Sequence, residues 1–156
     1  MSDQFFTQTI ELFKQFEEVD AIALGGSKVS EWHDAASDYD IYIYLNNELS
    51  EEKRRIALIQ TCESVNLSRT HWGVHWDDCI LRDGIPIEIN YMRLDGTREN
   101  LRNHLEKHIA WGGYTTCTCF VAFNSKLLHD PHGLYAEMVK QFTMPYPEQL
   151  DRKSVV

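Results

Sequence analysis

Leu24-Gly25-Gly26-Ser27, ten residues, and then Asp38-Tyr39-Asp40-Ile41-Tyr42-Ile43-Tyr44-Leu45 is the stretch on which the reading of this chain turns. The apolar run Ala21-Ile22-Ala23-Leu24 predicts a buried strand, stopped by the glycine turn. Tyr39 to Leu45 predicts a second strand. Residues two apart on a strand share a face, so Asp38 and Asp40 point one way. Ile41, Ile43 and Leu45 point the other way, toward a core. Two carboxylates side by side repel unless a proton or a cation sits between them. Mg²⁺ is the hard cation commonly held by one or two carboxylates together with substrate phosphates. The glycine turn has a matching use, because Gly25 and Gly26 let backbone N–H groups approach phosphate oxygens closely. The Ser27 hydroxyl and the Lys28 ammonium are positioned to add contacts.

A third acid follows in Gly84-Ile85-Pro86-Ile87-Glu88-Ile89-Asn90-Tyr91. Its isoleucines alternate with Pro86, Glu88 and Asn90, a period of two that places Glu88 opposite the apolar face. If this strand lies beside the Asp38/Asp40 strand, all three carboxylates meet on one side of a sheet.

Around these segments the pattern alternates between helix and strand. Phe6, Ile10, Phe13 and Phe16 fall at helical spacing. Ser50 caps a helix that opens with Glu51 and Glu52, and Ile56, Ile59 and Cys62 are expected to form its buried face. Val74–Leu81 and Ile85–Met92 read as strands joined by Arg82-Asp83-Gly84, a hairpin turn. A helix is expected after Gly96-Thr97, burying Leu101, Leu105 and Ile109 and ending at Gly112-Gly113. The segment from Tyr114 to Phe123 stays open between helix and buried strand. Ser125 to His129 reads as a short strand, and Leu134, Tyr135, Met138, Val139 and Phe142 as a last amphipathic helix. Such interleaving means an α/β or α+β domain, and the hairpin makes the sheet mixed.

Composition narrows the function. The chain has 156 residues, 43% of them apolar, enough for one domain with its own core. Fifteen Lys and Arg against 24 Asp and Glu give a net charge of −9, which argues against gripping a nucleic-acid backbone. No apolar run approaches the roughly 20 residues needed to span a bilayer, and Met-Ser-Asp-Gln is no secretory leader. Cys62, Cys79, Cys117 and Cys119 lack metal spacing and read as reduced thiols, so a cytoplasmic setting is expected. His71, His75 and Cys79 recur every four residues without a fourth ligand. Lys53-Arg54-Arg55 reads as ordinary surface charge. Tyr42 and Tyr44, on the acid face, either floor a pocket or pack beneath a lid.

Gly26-Ser27, the gap, Ser37-Asp38-Tyr39-Asp40 and a later strand acid resemble the polymerase-beta-type nucleotidyltransferase superfamily. Within it, the chain is similar to small bacterial aminoglycoside and lincosamide nucleotidyltransferases. The motifs run from about Phe5 to Met92, with a weaker likeness at Leu127–Gly133. The resemblance implies a nucleotidyltransferase fold over residues 1–143. It implies that Gly25, Gly26, Ser27 and Lys28 hold a nucleoside triphosphate, with ATP as the default expectation. Asp38, Asp40 and Glu88 would hold two Mg²⁺ ions, Glu88 doubling as general base toward a small-molecule acceptor hydroxyl. Pyrophosphate would leave. Two departures stand in this sequence: Ser30-Glu31-Trp32 replaces a glycine usual after the Gly-Ser pair, and the third acid is Glu instead of Asp. The alternative is a catalytically weak nucleotide-binding or toxin–antitoxin-type module on the same fold. Residues 144–156 read as a tail beginning a helical domain that is truncated or absent, leaving the acceptor side to a second subunit or a helical partner. No membrane or nucleic-acid polymer is expected as a partner.

Overall fold

The computed structural model describes residues 3–29, 37–71, 74–109, 117–145 and 148. Alternation of apolar and polar residues drives the strands β1 (Val19–Gly25), β2 (Tyr39–Leu45), β3 (Cys62–His71), β4 (Val74–Leu81), β5 (Pro86–Arg93) and β6 (Lys126–His129). Helical spacing drives α1 (Gln4–Phe13), α2 (Glu51–Leu58), α3 (Leu94–Leu105), α4 (Cys117–Asn124) and α5 (Leu134–Phe142). The strands form one mixed sheet in the order β3-β4-β5-β2-β1-β6. Only the β2–β5 pair is parallel among the described residues. This is the α+β architecture that the alternating pattern predicts.

Both faces of the sheet are covered. Ile41, Ile43 and Leu45 of β2 pack with Ile87 and Ile89 of β5 against Ile10 and Phe13 of α1 and Leu58 of α2. On the other face, Ala21, Ala23 and Tyr44 meet Leu101 of α3, Ala122 of α4 and Met138 and Phe142 of α5. Phe13 and Phe142 are wholly buried, each contributing about 1.5–3 kcal/mol by leaving water. Three-helix cover on that second face extends only along part of the sheet. Among the described residues, no helix of that cluster packs over the end bearing Asp40 and Glu88.

Local signals set the element ends. Ser50 Oγ accepts from Lys53 N–H at 3.3 Å, capping α2. Gly84, at φ 84°, closes the β4–β5 hairpin. Asp130 accepts from the N–H groups of Tyr135 and Ala136 and so starts α5.

Four expectations need correction. Ile56 and Ile59 are about half exposed, and α2 instead buries Arg54, Ala57 and Leu58. Arg54 is drawn inward because its guanidinium pairs with Asp77 of β4, a wholly buried carboxylate that also accepts from the Tyr91 hydroxyl at 2.7 Å. The basic cluster is therefore not all surface charge. Cys62 does not continue α2. It begins β3, a strand whose Ser64 and Asn66 hide the alternation of Val65 and Leu67. Helix α3 starts at Leu94, before Gly96, and ends at Leu105, leaving Ile109 exposed; Gly112-Gly113 lies outside the described residues. His71 and His75 fall on two different strands, and Cys79 is buried with Cys62. The open segment before Ser125 is a helix from Cys117. Most of the 144–156 tail lies outside the described residues.

Candidate active site

The sheet register brings distant acids into one row. Gly25 of β1 stands opposite Asp40 of β2, Asp40 opposite Glu88 of β5, Glu88 opposite Asp78 of β4, and Asp78 opposite Asn66 of β3. Residues directly opposite on neighbouring strands share a face, with Cβ atoms about 4.5–5.5 Å apart. Asp38 sits just before β2 and is exposed. The three acids singled out in the sequence thus lie at one end of one face, next to the glycine turn.

The electrostatics follow. Burial raises the Asp40 carboxyl above the usual carboxylate range, and the nearby charges of Glu88 and then Asp38 raise it further. Tyr42, two residues along on the same face, has its phenol pushed up to about 12 by burial, then by Asp40, Cys117 and Glu88. An open cleft of about 340 Å³ runs along the row, lined by Asp38, Asp40, Asp78 and Glu88 with Ser64 and Asn66. Among the described residues, none that lines it is Lys, Arg or His. Asn90 donates to Glu88 Oε1 at 3.0 Å, and the Trp76 indole donates to Asp78 Oδ2 at 3.3 Å, which orients both carboxylates.

The glycine turn is pressed against this row. Gly26 has φ 66°, and a Cβ there would stand 1.6 Å from Asp40 Oδ2. A Cβ on Gly25 would meet the Tyr42 ring edge at 2.6 Å. Ser27 opens a single turn of 3₁₀ helix running to Val29. Lys28 takes a different direction, its ammonium lying 4.7 Å above the Tyr39 ring on the α1 side of the sheet, where Phe6 stacks on that ring.

Asp38, Asp40, Asp78 and Glu88 offer carboxylate oxygens, with no basic residue lining the cleft among the described residues, which fits a hard divalent cation. The carboxylates are strung along the row: among the described residues, no group of three or more His, Cys, Asp or Glu closes around one point. Mg²⁺ takes one or two carboxylates and fills its octahedron with water and substrate phosphates, so it does not require three to close around it.

Residues 7–72 match the family described as Polymerase beta, Nucleotidyltransferase. The matched segment holds the Gly25-Gly26-Ser27 turn and the Asp38/Asp40 strand, and it ends before Asp78 and Glu88. It supports the superfamily resemblance, and the mixed, helix-covered sheet is consistent with a nucleotidyltransferase fold. No curated protein matches the chain. Among the described residues no helix is long and apolar enough to cross a membrane.

Asp78 is the site residue that sequence reasoning missed. Asp77-Asp78 on a strand must send one carboxylate to each face. Asp77 is taken up by Arg54 and Tyr91 inside, so Asp78 is left on the Glu88 face.

Proposed function

We propose that this chain is a metal-dependent nucleotidyltransferase that moves a nucleoside monophosphate from a nucleoside triphosphate to a hydroxyl of a small-molecule acceptor. The reading rests on one observation: the glycine turn, Asp40 and Glu88 stand in consecutive register on one sheet face.

The backbone of Gly25 and Gly26, with Ser27, cradles the triphosphate, Gly26 being small enough to bring it against Asp40. Lys28 reaches the phosphates only by leaving the Tyr39 ring. Asp38, Asp40 and Glu88 would hold Mg²⁺, which would neutralise charge on the phosphates and lower the pKa of the acceptor hydroxyl. Glu88 takes the acceptor proton. The acceptor oxygen bonds to the α-phosphorus, the bond from that phosphorus to the bridging oxygen breaks, and its electron pair leaves with pyrophosphate. The residues contribute position and charge compensation, with no covalent intermediate. The acidic cleft, with Asp78 at its far end, favours a cationic acceptor.

Titration with ATP, GTP, CTP and UTP, with and without Mg²⁺, tests the reading, followed by an acceptor screen for pyrophosphate release. Mg²⁺-dependent binding and release are expected. No binding of any nucleotide in Mg²⁺ overturns the reading. Binding without release for any acceptor class leaves a nucleotide-binding module.

A further inference from the structure

A second cleft adjoins the glycine turn and shares no lining residue with the acidic one. It holds about 190 Å³ and is walled by Gly25 and Gly26, by Val29, and by Phe120, Val121 and Asn124 of α4. Its character differs from the acidic cleft. The sequence Phe120-Val121-Ala122-Phe123 makes α4 apolar nearly all round, a composition expected of a helix covered on every side. Yet Phe120 is 64% exposed, while Cys119 and Ala122 face the core. An aromatic ring left in water directly beside a turn suited to phosphate calls for a ligand with both an anionic and a flat apolar part.

We infer that this cleft receives the nucleoside end of the nucleotide, with Phe120 stacking on the base. The inference rests on the nucleotidyltransferase reading and adds a nucleoside-binding residue to it. Three features support this occupant. The cleft shares Gly25 and Gly26 with the phosphate cradle, so a bent triphosphate reaches both. Its volume is below the roughly 300–1,000 Å³ of whole-ligand pockets and suits one ring system. Its α4 wall of Phe120 and Val121 suits a base, whereas the acidic cleft suits the metal and a cationic acceptor. Asn124 and Ser125 are tied to the α4 carbonyls of Phe120 and Val121, which holds that wall in place.

The test compares binding of Mg²⁺–ATP with binding of Mg²⁺–tripolyphosphate, which has the anion and no nucleoside. Phe120→Ala is expected to weaken ATP by about five- to a hundredfold, the worth of a base–aromatic stack, and to leave tripolyphosphate unchanged. Phe120→Leu, which keeps bulk without a π-face, should follow Phe120→Ala, and Phe120→Tyr should restore affinity. Unchanged melting temperatures are expected, since the ring is outside the core. Equal losses for both ligands, or a raised acceptor KM with unchanged ATP affinity, overturn the inference while the nucleotidyltransferase reading stands. Failure of the wild-type protein to bind ATP or tripolyphosphate in Mg²⁺ removes both.

Discussion

Gly26 lies against the carboxylate of Asp40, so closely that one added carbon would stand 1.6 Å from Oδ2. Backbone and acid are thereby locked together, with the left-handed φ of Gly26 as the condition. Gly84 offers a control, because it has φ 84° and nothing within 4 Å of an added Cβ. Alanine at either position carries a backbone cost of about 1–3 kcal/mol. Gly26→Ala should also push Asp40 aside and abolish Mg²⁺–nucleotide binding. Gly84→Ala should lower stability similarly and leave binding intact. Calorimetric titration of both variants decides it, and retained binding in Gly26→Ala would refute the close-approach role.

Asp40→Asn should melt at the same or a higher temperature at pH 7. The folded state raises the Asp40 pKa, so it binds that proton more tightly than the unfolded chain does. Charged Asp40 therefore costs stability at neutral pH, and the cost is relieved as pH falls through the raised pKa. Relief of like charge opposite Glu88 is worth about 0.2–1 kcal/mol. The variant's advantage should shrink on acidification toward the ordinary carboxylate range, while Mg²⁺–nucleotide binding is lost at every pH. Thermal melts from pH 7 to pH 4 check the sign, and a large destabilisation at pH 7 would mark Asp40 as structural.

Glu88→Gln keeps size and an oxygen ligand but cannot take a proton. Pyrophosphate release should fall by about 10²–10⁴, the usual worth of a general base, with a much smaller loss of nucleotide affinity. Parallel measurement of kcat and the nucleotide Kd separates the two. Equal losses in both would leave Glu88 as a ligand only.

Arg54→Ala strands Asp77 without its cation inside the protein. Removing one partner of a buried pair costs about 3–5 kcal/mol. Urea unfolding should show that loss with an unchanged m-value, whereas Arg55→Ala, on the exposed side of α2, should cost under about 0.5 kcal/mol. A small effect at Arg54 would mean that Asp77 is compensated by its remaining partners, Tyr91 among them.

Strand β2 and the face carrying Asp40 were legible because Asp-Tyr-Asp-Ile-Tyr-Ile-Tyr alternates without interruption, and β5 because Ile87 and Ile89 do the same around Glu88. The adjacency of those strands was legible only as a condition, since no local pattern encodes which strands pair. Strand β3 was hidden by its polar outer residues and by a chance helical spacing of Ile56, Ile59 and Cys62. Arg54 misled for a related reason: what draws it inward is Asp77, 23 positions away in sequence. Asp78 was legible in principle from the Asp77-Asp78 pair, once one of the two is known to be inside.

The sheet is two antiparallel triplets, β6-β1-β2 and β5-β4-β3, joined along a single parallel seam. Asp40 and Glu88 stand on either side of that seam. The β3–β4 and β4–β5 pairings join strands adjacent in sequence, whereas the seam sets Asp40 beside Glu88 and the β1–β6 edge sets Ala23 beside Leu127, so both of these joins carry the loop-closure entropy of long-range contacts. The site therefore spans a long-range join, and its two acids part whenever the triplets separate. A cation with its nucleotide, gripping both acids, would act as a clasp across the join, so that ligand concentration sets how long the two halves stay together.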